Sequence, residues 1–152
     1  MGHELTPQTV LLPDLLVKPL HVSFSHPTVT SDGGAVLLGA LDDSLGLTDA
    51  LVGCLADGRD QSKVCHPLDR LLRQRIFAIA CGYGDANDVS RLRNDPLHKA
   101  LVGLDPERDP SLASQPTLSR FENSVSAATC FRMAAAFTNC VLDRHAKRLR
   151  RR

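Results

Sequence analysis

The sequence predicts a mainly helical domain with one or two short strands near its start, and three observations lead there. From Val36 onwards, apolar residues recur every three to four positions, the spacing of one face of a helix. Aromatic residues make up 4% of the chain and Trp is absent, so the core must be built from Leu, Ala, Val and Ile, which suits packed helices better than a sandwich. Only Val17 to Phe24 alternates weakly in the manner of a strand, and no Val/Ile-rich run follows residue 24.

Taken in order, residues 1–19 read as a Pro-punctuated arm, residues 20–145 as the helical domain and residues 146–152 as a basic tail. Thr30-Ser31-Asp32-Gly33-Gly34 introduces the first helix, with Ser31 or Asp32 as N-cap, then Val36, Leu37, Leu38 and Leu41 on one face and Gly46 as its end. Thr48 is the expected cap of the next helix, whose stripe is Leu47, Leu51 and Leu55; a polar loop from Asp57 to Lys63 follows.

Pro67 suits the first turn of a third helix, where its missing N–H costs nothing. Leu68, Leu71, Leu72, Ile76 and Ile79 mark its inner face, with Asp69, Arg70, Arg73 and Gln74 mostly opposite. Arg75 falls among the apolar residues, so it is expected to bond an acid or carbonyl inside the fold. After Cys81-Gly82-Tyr83-Gly84, Asp85 or Asn87 caps a short helix through Val89 and Leu92, and Pro96 opens another with Leu97 and Leu101. Beyond the polar loop Gly103–Ala113, Ser114 caps a helix with Pro116 in its first turn. Ser126 caps the last and longest helix, for which Phe131, Ala134, Ala135, Thr138, Val141 and Leu142 are the expected inward face.

A chain of 152 residues with 43% hydrophobic content can bury one core. Its formal charge of +1 is unevenly spread. Asp143 to Arg152 holds six Lys/Arg against one acid, leaving 12 basic and 16 acidic groups over the other 142 residues. A body of that sign is a poor non-specific polyanion binder, so DNA contact is expected from the tail or from a few local cations. The five cysteines include no CxxC pair; Cys130 and Cys140 on one helix stand roughly 15 Å apart, too far for a disulfide. All five are expected to be reduced thiols in a cytoplasmic protein, and the apolar runs are too short for a membrane span.

Three segments, in order, carry a resemblance. They are Leu20 to Leu41 around Thr30-Ser31-Asp32-Gly33-Gly34, Leu71 to Asp95, and Ala113 to Asn123. The middle one contains Leu72-Arg73-Gln74-Arg75, Ala80-Cys81-Gly82-Tyr83-Gly84-Asp85-Ala86-Asn87-Asp88 and Leu92-Arg93-Asn94-Asp95-Pro96. At these spacings the chain resembles the N-terminal region of bacterial insertion-sequence transposases of the DDE type, the transposase DDE domain, group 1 family. The resemblance implies a role in DNA transposition, transposon-end DNA as a partner, and a homo-oligomer or intact transposase as another. It implies Mg²⁺ for full-length relatives, whose ribonuclease-H-like core holds two Asp and a Glu. Nothing here matches the strand bearing the first of those Asp. The expectation is a truncated transposase with no catalytic residue, no metal ligand and no cofactor of its own, and so no enzyme as it stands. The rival readings are a stand-alone, repressor-like DNA-binding fragment and a helical protein-interaction module.

Candidate DNA contacts are Gln115, Thr117, Ser119 and Arg120, because short polar and Arg side chains near a helix start bond phosphates and base edges. The bland alternative is that Ser114 and Thr117 only cap a helix whose Leu118 and Phe121 enter the core. The loop before this segment is longer than a helix-turn-helix uses. Arg144, Lys147, Arg148 and Arg150 are candidate phosphate contacts, or simply cations well placed at a helix C-terminus, or part of a linker that truncation exposes. Arg73, Arg91 and Arg93 face DNA or pair with acids such as Asp69, Asp88 and Asp95. Asp85, Asn87 and Asp88 suit a turn better than a cation site, Cys65-His66 lacks a second ligand pair at zinc spacing, and Cys81 reads as a small buried hydrophobe.

Overall fold

The computed structural model describes the backbone of Gln8–Thr9 and His21–Val22, together with residues 28–85 and 87–150. Most of the expected arm, the ends of the expected Val17–Phe24 strand, Ala86 of the turn motif, and Arg151 and Arg152 of the tail lie outside the described residues. Strand β1 (Gln8–Thr9) pairs antiparallel with β2 (His21–Val22), Gln8 opposite Val22 and Thr9 opposite His21. Residues 8–9 fall in the stretch expected as an arm, and their partner falls inside the expected strand.

Seven α-helices follow among the described residues: α1 (Ala35–Leu45), α2 (Leu47–Val52), α3 (Leu68–Ala80), α4 (Val89–Leu92), α5 (Pro96–Leu101), α6 (Gln115–Ser124) and α7 (Ala127–Leu149). A single 3-10 turn, Gln61–Lys63, punctuates the loop after α2. The domain is therefore mainly α, and its described residues include no sheet beyond the two-residue ladder.

Helix α3 is central, packing against α1, α2, α5 and α6. One core gathers Leu51, Leu71, Leu72, Ala78, Val89, Leu92, Ala113, Leu118 and Phe121; a second joins Ala35, Val36, Phe77, Leu97 and Leu101. A helix enclosed from several sides buries more than one stripe, which corrects the expected α3 face. Gln74, expected outside, is 2% exposed, and Ile79, expected inside, is 52% exposed. Both ends of the buried Gln74 amide are bonded: its Nε2 donates to the Ala113 carbonyl at 3.0 Å, and its Oε1 accepts from the Ala113 N–H at 3.1 Å. It thereby pins the segment entering α6 to α3. Arg75 is paired as expected, donating to Glu122 and to the carbonyls of Tyr83 and Gly84 at 3.1 and 2.7 Å.

Several caps differ from expectation because the side chains are engaged elsewhere. Gly34, not Ser31 or Asp32, precedes α1, since the Asp32 carboxylate is taken by Tyr83 and His98. Gly46, left-handed at φ 63°, closes α1 and opens α2 in one residue, leaving no room for Thr48 to cap. Thr48 instead lies buried inside α2 and donates its backbone N–H and its hydroxyl to the buried Asp42 carboxylate. Asp88 precedes α4 without a side-chain cap, while Asp85 accepts from the Asn87 N–H in an Asx turn. Asp95 caps α5 through the N–H groups of Leu97 and His98, and Ser126 caps α7 through Thr129.

The largest correction concerns α7. Phe131, Ala134, Ala135, Thr138, Val141 and Leu142 are exposed, Phe131 at 77%. The less exposed stripe is Thr129, Met133, Ala136 and Cys140, and α7 packs on α2. Apolar side chains surround most of this helix, so periodicity alone offers two faces; the one with smaller side chains lets α2 approach closely. All five cysteines are free, and no single described helix is long and apolar enough to cross a membrane.

Candidate nucleic-acid interface

Helix α6 starts from Ser114, whose hydroxyl hydrogen-bonds the Thr117 hydroxyl at 3.0 Å instead of capping a backbone N–H. Leu118 and Phe121 are buried, as the bland reading of this segment required, and they fix which side chains turn outward. Gln115 donates to the Ser119 hydroxyl at 3.1 Å, so these two candidates are joined to each other along the helix. Thr117 and Arg120 instead face the loop after α2.

Between that loop and α6 lies a groove of about 650 Å³, lined by Asp57, Arg59, Asp60, Lys63, Cys65 and His66 on one side and by Thr117, Arg120, Phe121 and Ser124 on the other. The loop wall is held by its own charges. Arg59 grips both carboxylate oxygens of Asp57 at 2.7 Å and donates to the His66 carbonyl at 3.0 Å. Hydrogen bonding from Arg59 holds the Asp57 carboxyl well below the usual carboxylate range. Asp60 accepts from Ser62 and meets Lys63 at 3.3 Å. Among the described residues Arg120 donates to the Pro116 carbonyl of its own helix, at 3.1 Å, which leaves most of the guanidinium donors for a ligand.

The surrounding field is cationic at His66. Burial lowers the pKa of this imidazole from 6.5, and the positive charges of Arg70, Arg93 and Arg59 lower it further. Arg93 also donates to the Leu112 carbonyl at 3.3 Å, whereas Arg73 is taken by Asp49 at 2.8 Å. Of the three arginines read as facing DNA or pairing with acids, Arg73 pairs with an acid, Asp49, and Arg93 adds its charge to the surroundings of His66. Sequence reasoning missed Arg59, Lys63 and His66 as members of a site. Their signal was present as a polar loop, but only the fold brings it opposite α6.

The basic candidates Arg144, Lys147, Arg148 and Arg150 are all exposed on or just beyond the last turns of α7. From Ser126 to Arg144 a straight helix rises roughly 27 Å. The structure therefore does not merge the α6 candidates and the tail into one site; it sets them at opposite ends of a long helix. The loop from α5 to α6 runs from Val102 to Ser114, which is not a helix-turn-helix connection.

The profile of one protein family, described as transposase DDE domain group 1, matches residues 13–151. The chain belongs to this transposase family. No curated protein and no solved structure matches it significantly. Membership ties the chain to DNA transposition, and thus to DNA in general. The divalent metal of DDE chemistry finds no fitting donor set among the described residues. The group of donors that converges there is Asp32, Cys81 and His98, with a single carboxylate. Two-metal strand transfer needs several oxygen ligands around ions roughly 4 Å apart.

Proposed function

We propose that this transposase region binds transposon-end DNA, with the groove between the Asp57–His66 loop and α6 seated on the phosphate backbone. The carrying observation is the combination of Arg120, free of any ion pair among the described residues, with Lys63 and the cationic surroundings of His66 across one groove. Phosphate contacts position a protein on DNA, and Arg120 and Lys63 line the two walls of the groove that would receive them. Residues Arg144 to Arg150, roughly 27 Å along α7, supply a second, purely electrostatic grip. In this reading the described residues hold DNA and the cutting chemistry lies elsewhere, so the chain does not nick DNA with Mg²⁺ or Mn²⁺.

The test is fluorescence anisotropy on a terminal-repeat duplex and a shuffled duplex over a salt series. Binding to the terminal repeat should persist at moderate salt and fall steadily as salt rises. Arg120→Ala should weaken binding and lower the salt slope by about one. Equal, weak binding to both duplexes, lost on neutralising Arg144, Lys147, Arg148 and Arg150, would leave only a charged tail.

A second reading, assembly with another copy, has its own observation. Phe131, Ala135, Thr138, Leu142, His145 and Leu149 follow a 4-3 heptad spacing on the exposed side of α7, away from the stripe Thr129, Met133, Ala136 and Cys140. Such a seam fits the same seam on a second chain.

A further inference from the structure

Helices α1, α3 and α5 pack against one another, and their junction collects three unlike donors from distant parts of the sequence. Asp32 precedes α1, Cys81 caps the C-terminus of α3, and His98 lies in α5. One ligand atom from each, a carboxylate oxygen, the thiol Sγ and an imidazole nitrogen, lies within 4.8 Å of the others. His98 is 2% exposed, and its Nε2 stands 2.9 Å from Asp32 Oδ2. Tyr83 donates its hydroxyl to Asp32 Oδ1 at 3.3 Å, and its ring meets the His98 ring edge-on with centroids 6.2 Å apart. The transposition reading uses none of these side chains.

We propose that Asp32, Cys81 and His98 form a zinc site that ties the segment before α1 to the α3–α5 core. One nitrogen, one sulfur and one oxygen ligand suit Zn²⁺, a borderline-soft ion that accepts all three in tetrahedral geometry. Bonds of 2.0–2.3 Å at tetrahedral angles set ligands roughly 3.3–3.8 Å apart, within reach of the observed cluster after small side-chain shifts. The donor set disfavours Mg²⁺ and Ca²⁺, which take oxygen ligands.

Charge points the same way. The Asp32 carboxylate stands at the cluster itself, 2.9 Å from His98 Nε2, so the site offers a negative group to a cation. A divalent ion offsets the carboxylate and thiolate together; on binding, the Cys81 proton passes to solvent, and the proton shared between His98 Nε2 and Asp32 moves to the other ring nitrogen by way of solvent. The Asp32–Tyr83 hydrogen bond orients the carboxylate from behind, as outer-shell partners of metal ligands do. Water completes the fourth position.

The test uses tag-free full chain with Co²⁺ as a spectroscopic probe, displaced by Zn²⁺. Because the chain has five cysteines, the informative variant keeps Cys81 and replaces Cys54, Cys65, Cys130 and Cys140 with Ser. That variant should bind one Co²⁺ with a thiolate charge-transfer band, lose the band on adding Zn²⁺, and melt at higher temperature with Zn²⁺ than without. Cys81→Ser in the otherwise native chain should lose the band, and Tyr83→Phe should weaken binding by about 10–100-fold while keeping it. A band that survives Cys81→Ser, or a Cys81-only variant with no band and no thermal shift, would overturn the proposal. Circular dichroism of each variant without metal separates lost ligation from lost folding.

Discussion

Gln74 and His66 show how single residues connect the core to the groove. The Gln74 side chain satisfies both backbone groups of Ala113, and Ala113 itself is fully buried. Gln74→Ala leaves a buried N–H and a buried carbonyl without partners, so it should cost about 2–4 kcal/mol in urea unfolding. A loss below 0.5 kcal/mol would mean that water replaces the amide freely. For His66 the sign follows from its environment. Its pKa in the folded protein lies below 6.5, lowered by burial first and by Arg70, Arg93 and Arg59 next, so the fold favours the neutral ring. Stability should therefore fall as pH drops below about 6.5 and level off once pH passes the folded value. A phosphate in the groove reverses the local field, so NMR titration of His66 should move upward with DNA bound, and affinity should rise as the pH is lowered. Arg75 was legible from sequence because a guanidinium on an apolar stripe demands partners. Gln74 was not, because an amide on a helix carries no sign of whether a backbone edge faces it.

Among the elements, the α1–α2 corner depends on one residue. Gly46 holds φ 63° between two helices with no spacer, and Gly46→Ala should destabilise the domain by about 1–2 kcal/mol in thermal unfolding. The Asp42–Thr48 contact reinforces the same corner from inside. Helix order and approximate ends were readable from apolar periodicity, Gly46 and the positions of Pro67, Pro96 and Pro116. Caps were less so, since Asp32 and Thr48 have the chemistry of caps but spend it on tertiary partners. The face of α7 could not be read at all from periodicity, because two apolar stripes of different size compete on it. Its exposed side gives an element-scale test. Sedimentation at rising concentration should show self-association, and Phe131→Glu with Leu142→Glu should abolish it without unfolding the helix. A monomer at every concentration would remove the assembly reading.

At the scale of the whole molecule, a domain with an acidic balance presents two separated groups of cations among its described residues, one in the groove beside α6 and one at the far end of α7. The sequence made the tail conspicuous and the groove invisible. A charge run needs no fold to be noticed, whereas Arg59, Lys63 and His66 meet Arg120 only after α3 has seated α6. The two Asp residues in the loop wall also hide the site from charge counting, since each is already engaged by a neighbour. Amide chemical-shift mapping of the isotope-labelled chain with a terminal-repeat duplex tests the central claim most directly. The account predicts the largest shifts at Arg59–His66 and Thr117–Ser124, with smaller ones at Arg144–Arg150. Shifts confined to residues 144–150, identical for a shuffled duplex, would contradict it.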